Sequence, residues 1–129
     1  MTIFEINCID SFNLLTKEEK LILVDVRTVE EFNSSGIVDS SQFKNETILL
    51  PWRLLPDMRI NSSFITDLNE ALLNKFGDDF EIKIIFACKA GARSFEAAQN
   101  FALLGYKNCY NMIGGCEAWK TSGLPWKKD

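Results

Sequence analysis

A cysteine and two cationic side chains lie where an apolar run ends and a helix-like run begins. Cys88 opens residues 88–94, which read Cys-Lys-Ala-Gly-Ala-Arg-Ser and include Lys89 and Arg93. The first backbone N–H groups of a helix have no partner within the helix, and they form the positive end of its dipole. A thiolate or another anion is stabilised at such a position, and the thiolate is the attacking form of cysteine. The segment therefore predicts nucleophilic thiol chemistry or an anion-binding loop.

The chain contains no histidine, and this excludes several classes of site. A Cys-His or Ser-His catalytic pair cannot form within it, and neither can a zinc, haem or iron site built on imidazole. No two of the four cysteines form Cys-x-x-Cys, so a zinc ribbon is disfavoured. We expect no metal and no cofactor. Activation of Cys88 must then come from charge, the helix dipole and backbone N–H groups.

Composition indicates one soluble globular domain over residues 1–129, with 47% hydrophobic and 25% charged residues. A net charge of −4 and a pI near 4.9 argue against nucleic acid or an anionic membrane as partner, because both bind positively charged protein surfaces. No apolar stretch approaches the roughly 20 residues that span a bilayer, and the first residues lack the basic start of a signal peptide. We therefore expect a cytoplasmic protein with reduced cysteines.

Strand-like and helix-like segments alternate along the chain. Apolar runs predict strands over 21–26, 47–50, 82–87 and 108–113, with an edge strand over 3–6. Helices are predicted over 10–15, over 28–32, from Ser62 or Ser63 to Gly77, over 95–104 and around Trp119. Thr28 and Glu31 have the spacing of a capping box. This alternation predicts an α/β fold of parallel βαβ units, in which ligands bind beyond the carboxyl ends of the strands, where Cys88 lies.

Three segments, in chain order, resemble the signatures of the rhodanese (sulfurtransferase) domain family. Residues 23–27, Leu-Val-Asp-Val-Arg, with Glu-Glu-Phe at 30–32, are similar to its N-terminal signature, and residues 88–94 to its active-site loop. Residues 114–125, with Gly-Gly, Trp119 and a final Gly-Leu-Pro, are similar to its C-terminal signature. One departure is at residues 36–41, where the family usually carries Gly-His-Ile-x-Gly-Ala and this chain has no histidine.

The resemblance implies a three-layer α/β fold with a central, mostly parallel five-stranded sheet flanked by helices. It implies that Cys88 takes a sulfane sulfur from a donor, becomes a persulfide and passes the outer sulfur to an acceptor. The donor would be thiosulfate, a small persulfide or a protein, and the acceptor a thiol, cyanide or a protein. The loop residues expected to bind the sulfur or the donor are Lys89, Ala90, Gly91, Ala92, Arg93 and Ser94.

Two other functions remain open. Phosphatases of the cell-cycle dual-specificity type resemble rhodaneses but place arginine six positions after the cysteine, whereas Arg93 follows Cys88 by five. A shorter loop suits one sulfur atom better than a phosphoryl group, which ranks a phosphatase or arsenate reductase lower. A rhodanese-like module that only binds or regulates usually lacks the cysteine or the charged loop residues, and this chain has both.

Other polar residues near these motifs have simpler interpretations. Asp25 and Arg27, at the end of a buried strand, are expected to be structural, with support of the Cys88 loop as the lesser hypothesis. Cys116 is expected to be a small packing residue, although a thiol there would resolve an oxidised Cys88 if the two Cα atoms lay within about 7 Å. Cys8 and Cys109 are expected to be inert core residues.

The loop itself carries two local expectations. Gly91 is expected to adopt a positive φ or to allow a close backbone approach. Ser94 is expected to be the N-cap of the following helix, with its hydroxyl also available to the cysteine sulfur.

Residues 49–56, where the chain leaves the second predicted strand, form an apolar segment. Most of this segment is expected to be core, with Trp52 or Leu54 at the rim above Cys88.

Overall fold

The computed structural model describes residues 2–128, in which short helices cover both faces of a parallel sheet. The helices are α1 (Cys8–Lys17), α2 (Val29–Ser35), α3 (Phe64–Phe76), α4 (Ala92–Ala102) and α5 (Gly115–Thr121). The strands are β1 (Phe4–Ile6), β2 (Leu21–Asp25), β3 (Ile37–Val38), β4 (Ile48–Leu49), β5 (Arg53–Leu54), β6 (Arg59–Ile60), β7 (Lys83–Ala87), β8 (Asn108–Met112) and β9 (Trp126–Lys127).

The main sheet has the strand order β1-β8-β7-β2-β4, and each neighbouring pair is parallel. The predicted α/β fold with a central five-stranded sheet between helical layers is thus confirmed. Two small antiparallel pairs, β3 with β9 and β5 with β6, lie outside this sheet. None of the helices within residues 2–128 is both long and apolar enough to cross a membrane.

Each face of the main sheet has its own apolar core, because successive side chains of a strand point to opposite faces. Ile84 and Phe86 of β7 join one cluster, which packs against α3 and α4. Ile85 and Ala87 join the other, which packs against α1 and α5 and includes the fully buried Trp119. Burial on both faces explains why β2 is apolar up to Asp25 and β7 is apolar after Lys83.

The capping box predicted at the start of α2 is present. The Thr28 hydroxyl accepts the backbone N–H of Glu31 at 3.2 Å, and the Glu31 carboxylate accepts the backbone N–H of Thr28 at 3.0 Å. Two N–H groups that the helix itself cannot satisfy are therefore paired. This box also fixes where the Glu31 carboxylate lies.

Candidate active site at Cys88

The central strand β7 delivers Cys88 to the carboxyl edge of the sheet, and Gly91 turns the chain into α4. Gly91 has φ = 120°, a conformation that L-residues rarely adopt, as the sequence predicted for this glycine. Cys88 is 1% exposed and belongs to the core cluster on the α3 and α4 face. Burial alone would fit an inert core cysteine, so the polar contacts of the sulfur must distinguish the two interpretations.

Two donors point at the Cys88 sulfur. The backbone N–H of Gly91 donates to Sγ at 3.1 Å, and the Ser94 hydroxyl lies 3.3 Å from the same atom. Preorganised donors of this kind stabilise negative charge on sulfur without a proton donor. These two contacts distinguish Cys88 from a cysteine that packs only against apolar side chains.

The prediction that Ser94 caps α4 is wrong, whereas its predicted contact with the cysteine sulfur is confirmed. The helix begins at Ala92 and Gly91 is the cap, because the positive φ of Gly91 already directs the chain into the helix. Ser94 is therefore inside the first turn and is fully buried. From there its hydroxyl reaches Cys88 Sγ, the Gly91 carbonyl at 3.1 Å and Asn111 Oδ1 at 2.6 Å.

The outer side of the loop is held by the start of α5. The backbone N–H of Cys116 donates to the Cys88 carbonyl at 2.8 Å, and that of Glu117 donates to the Lys89 carbonyl at 3.0 Å. These carbonyls are thereby directed to the helix N-terminus. Gly115 permits the approach, since a Cβ there would lie within contact distance of the Cys88 carbonyl and 2.6 Å from the Lys89 carbonyl oxygen. The sequence identified the glycine pair but not this contact.

Arg93 is bound to a carboxylate of another element. Its two terminal nitrogens donate to the two oxygens of Glu31 at 2.6 and 3.0 Å. Burial opposes ionisation of Glu31, but the hydrogen bonds from Arg93 and Thr28 outweigh it and lower the pKa of the carboxyl to about 2. The hydrogen bond to Glu31 also raises the pKa of the Arg93 guanidinium. Lys89, in contrast, is exposed at the loop surface.

A groove of about 360 Å³ lies beside this ion pair, between α2 and the hairpin of β5 and β6. Leu55 and Met58 of the hairpin line it together with Arg93. Trp52, which the sequence suggested for the rim, is 3% exposed, and its indole N–H donates to Glu96 at 2.6 Å. The rim prediction was therefore wrong for Trp52, because this side chain packs edge-on against Phe64 in the core.

Asp25 and Arg27 are paired with each other at the carboxyl end of β2. The Arg27 guanidinium donates to both Asp25 oxygens, with a shortest distance of 2.7 Å, and its backbone N–H donates to Oδ1 at 3.1 Å. The same guanidinium donates to the Gly36 carbonyl, and its central carbon lies 5.3 Å from the ring centroid of Phe32 and 5.4 Å from that of Trp126. Both side chains are almost fully buried. This arrangement supports the structural interpretation and connects the end of β2 to α2 and β9.

All four cysteines are free thiols. Cys116 belongs to the core cluster on the α1 and α5 face, across the sheet from the cluster of Cys88. Burial and the neighbouring Asp25 carboxylate, whose Oδ2 lies 3.9 Å from Cys116 Sγ, raise the pKa of the Cys116 thiol. Burial also raises the pKa of Cys109 to about 12. Both thiols are therefore held in the protonated form, which favours packing roles.

The sequence reasoning missed Asn111. This side chain is 6% exposed on β8, and its amide donates to the Gly91 carbonyl at 3.1 Å and accepts from Ser94. The available signal was an amide at an inward-facing position of a strand whose neighbours are apolar. Such an amide requires partners, and the partners are in the Cys88 loop.

Comparisons with known proteins agree with this architecture. The sequence model of the Rhodanese-like domain matches residues 9–122. An uncharacterised protein of Rickettsia conorii is 35% identical over 98% of this chain and 99% of its own length. A protein of Allochromatium vinosum named sulfurtransferase is 31% identical, over 93% of this chain and 94% of its own length.

Among solved structures, the crystal structure of Rv0390 from M. tuberculosis superposes with a TM-score of 0.83 and 25% identity. The superposition covers 100% of both chains. Together with the match of the family model over residues 9–122, this shows that the chain belongs to the rhodanese-like domain family.

Proposed function

We propose that this protein is a sulfurtransferase that carries a sulfane sulfur on Cys88. The observation that supports it most directly is the pair of donors on Sγ, the Gly91 N–H and the Ser94 hydroxyl. The carbonyls of Cys88 and Lys89 accept the backbone N–H groups of Cys116 and Glu117, so these two oxygens are occupied by α5. A relative named sulfurtransferase, 31% identical to this chain, supports the same chemistry.

In the first half-reaction, a lone pair of the Cys88 thiolate forms a bond to the sulfane sulfur of the donor. With thiosulfate, the S–S bond of the donor breaks and its electron pair leaves with sulfite. The negative charge then resides on the outer sulfur of the Cys88 persulfide. Backbone N–H groups of the loop stabilise this anion, because an anion in a ring of oriented dipoles needs no proton.

In the second half-reaction, the acceptor attacks the outer sulfur. A lone pair of cyanide or of a thiolate forms the new bond, the persulfide S–S bond breaks, and its electron pair returns to Cys88 Sγ. The donors on Sγ stabilise this leaving thiolate, and a stabilised thiolate leaves faster. Cys88 is regenerated without any change in its redox state.

Lys89 and Arg93 contribute differently to the reaction. Lys89 is the exposed cation of the loop and attracts an anionic donor as a point charge. Arg93 is oriented by Glu31, so it keeps the first turn of α4 in place, and the ionised carboxylate offsets the charge of its guanidinium. Four free thiols agree with a reducing compartment, and we place the protein in the cytoplasm on that ground.

A phosphatase fits the site less well. Its loop arginine must face a phosphoryl group with both terminal nitrogens, and in Arg93 both donate to Glu31. The interval from Cys88 to Arg93 is also one residue shorter than in the phosphatases of this type. A module without catalysis would have no need for two hydrogen-bond donors on a buried cysteine sulfur.

The proposal is tested by incubating the protein with thiosulfate and measuring its mass and the thiocyanate released by cyanide. We expect wild type to gain the mass of one sulfur atom and to turn over. Cys88→Ser should do neither, whereas Cys109→Ala, which removes a buried thiol on the same face of the sheet, should do both. Aryl phosphate hydrolysis that is lost in Cys88→Ser would establish a phosphatase instead. If a panel of donors leaves folded protein unmodified, the chain is a binding module.

A further inference from the structure

Asn111 is an amide buried in a position that otherwise suits an apolar side chain. It lies on the interior strand β8, opposite Phe86 of β7 and Glu5 of β1, and shares a sheet face with Cys109. Cys109 belongs to the apolar cluster that α4 covers. A buried amide without partners destabilises a fold, because it has lost its hydrogen bonds to water and gained none in the protein. The partners of Asn111 therefore matter.

The hydrogen bonds of Asn111 fix the orientation of its amide. The Gly91 carbonyl can only accept, so the atom 3.1 Å from it must be Nδ2. Oδ1 then faces the Ser94 hydroxyl at 2.6 Å and can only accept from it. The Gly91 carbonyl also accepts the Phe95 N–H at 3.1 Å, so both of its lone pairs are occupied.

The Ser94 hydroxyl has one proton and three acceptors within reach. The shortest contact is to Asn111 Oδ1 at 2.6 Å, and the others are the Gly91 carbonyl, which already has two other donors, at 3.1 Å and Cys88 Sγ at 3.3 Å. When Sγ carries the negative charge of a thiolate, a bond from the hydroxyl to sulfur is charge-assisted and favoured. When the charge moves to the outer sulfur of a persulfide, Sγ becomes a neutral bridging atom, and the amide oxygen is the better acceptor.

We infer that Asn111 is a positioning residue that competes with the Cys88 sulfur for the hydroxyl proton of Ser94. The inference rests on the proposed sulfur transfer. Because Asn111 competes for the proton and accepts it fully once charge leaves Sγ, it stabilises the persulfide relative to the thiolate and favours sulfur uptake. No bond beyond this hydrogen bond is made or broken by the exchange.

Removing the competing acceptor should change the two half-reactions in opposite directions. In Asn111→Leu, whose side chain branches at the same carbon, the Ser94 hydroxyl loses its shortest acceptor and is left with Cys88 Sγ and the Gly91 carbonyl. A charged sulfur then takes the proton, because that hydrogen bond is charge-assisted. Attack by the stabilised thiolate should then slow by about two- to fivefold, and delivery to cyanide should accelerate by about the same factor, because nucleophilicity falls and leaving ability rises together. A loss of loop structure would slow both half-reactions.

The experiment measures sulfur uptake from thiosulfate and sulfur delivery to cyanide separately, at a pH on the plateau of the rate profile. Ser94→Ala and the double variant Ser94→Ala/Asn111→Leu are included, since an effect that acts through Ser94 must vanish in its absence. Asn108→Leu is the matched control, because Asn108 is on the same strand and its amide bonds to Glu81, away from the loop. Thermal unfolding monitors folding, and Asn111→Ala replaces Asn111→Leu if the latter is unfolded.

Opposite changes in Asn111→Leu that disappear in the Ser94→Ala background would support the inference. Parallel slowing of both half-reactions, or an effect that persists without Ser94, would overturn it. Alkylation of Cys88 by iodoacetamide provides a readout that needs no sulfur transfer, and Asn111→Leu should slow it by about two- to fivefold as well. If wild type takes up no sulfur, the proposed function fails, while the alkylation rates still decide the role of Asn111.

Discussion

Glu31 and Arg93 are 62 residues apart in sequence and are joined by two parallel hydrogen bonds of 2.6 and 3.0 Å. The same Glu31 carboxylate accepts the backbone N–H of Thr28 and so caps α2. One side chain thus connects the start of α2 to the first turn of α4, which bears Ser94. The position of the Cys88 loop depends on this connection as well as on the sheet.

Glu31→Gln should destabilise the protein in a pH-dependent way. The pKa of Glu31 falls from 4.5 to about 2 on folding, so the unfolded chain binds the proton more readily. The stabilisation is therefore complete above about pH 5 and is lost as the pH falls towards 2. Because the carboxylate is a quarter exposed, we expect a loss of roughly 1–3 kcal/mol at neutral pH, measured by urea unfolding.

Unfolding free energies from pH 7 to pH 3 decide this prediction. The difference in unfolding free energy between wild type and Glu31→Gln should become smaller as the pH falls. Glu81→Gln is the control, because its ion pair with Lys107 is two-thirds exposed and should contribute less than about 1 kcal/mol. A free-energy difference that stays constant from pH 7 to pH 3 would show that Glu31 stabilises the fold by packing alone.

Gly115→Ala should damage the Cys88 loop more than the fold. The new Cβ would collide with the carbonyls of Cys88 and Lys89, which are backbone atoms that cannot yield without moving the loop. We expect turnover to fall by more than about tenfold, since a displacement of about 1 Å in an active site costs about a hundredfold. Steady-state thiocyanate formation measures it.

Gly123→Ala is the matched control for this change. Gly123 also has a positive φ, 76° against 59° at Gly115, but a Cβ there meets no atom within 4 Å. Both variants bear a backbone penalty of about 1–2 kcal/mol, so both should lower the unfolding free energy. Equal turnover in the two variants would refute the role of the Gly115 contact.

Asp25→Asn should destabilise the protein by roughly 3–5 kcal/mol, because it leaves the Arg27 guanidinium buried without a counter-ion. The double variant Asp25→Asn/Arg27→Met removes that unpaired charge and should recover part of the loss. Urea unfolding of both variants measures this. Turnover lost at unchanged stability would instead make Asp25 a residue that orients the loop.

Cys116→Ala should retain both the persulfide on Cys88 and most of the turnover. The Cys116 contact that matters is its backbone N–H, which alanine keeps, and its thiol is held protonated by burial. Mass spectrometry after peroxide treatment, without reductant, should find no disulfide between Cys88 and Cys116 in wild type. Detection of that disulfide would assign Cys116 the role of a resolving thiol.

The sequence was most informative where one local pattern determines the structure. Runs of branched apolar residues predicted β2 and β7, and the Thr28 capping box predicted the start of α2. The two-residue strands β3, β5, β6 and β9 were not predicted, since two residues cannot show a period. Ser94 was misassigned as a cap because serine favours that position in general, whereas the backbone of Gly91 determines it here.

Contacts within the candidate site were harder to predict because they join distant parts of the chain. Glu31 and Arg93 each belong to a recognisable motif, but nothing local pairs them across 62 residues. Asn111, on β8, reaches Ser94 and Gly91 at the start of α4, 17 and 20 residues away in sequence. Residue types and their spacing were enough to identify Cys88. The groups that contact its sulfur could be identified only from the tertiary structure.

The binding of the loop carbonyls by α5 has a consequence for biosynthesis. Residues 115–117 come after the Cys88 loop in the sequence, and a polypeptide leaves the ribosome from its N-terminus. While α5 is still inside the ribosome, the carbonyls of Cys88 and Lys89 lack their partners and the loop is not closed. The Cys88 loop is therefore completed only after residues 115–117 have left the ribosome, and a nascent fragment that ends before them lacks these two hydrogen bonds.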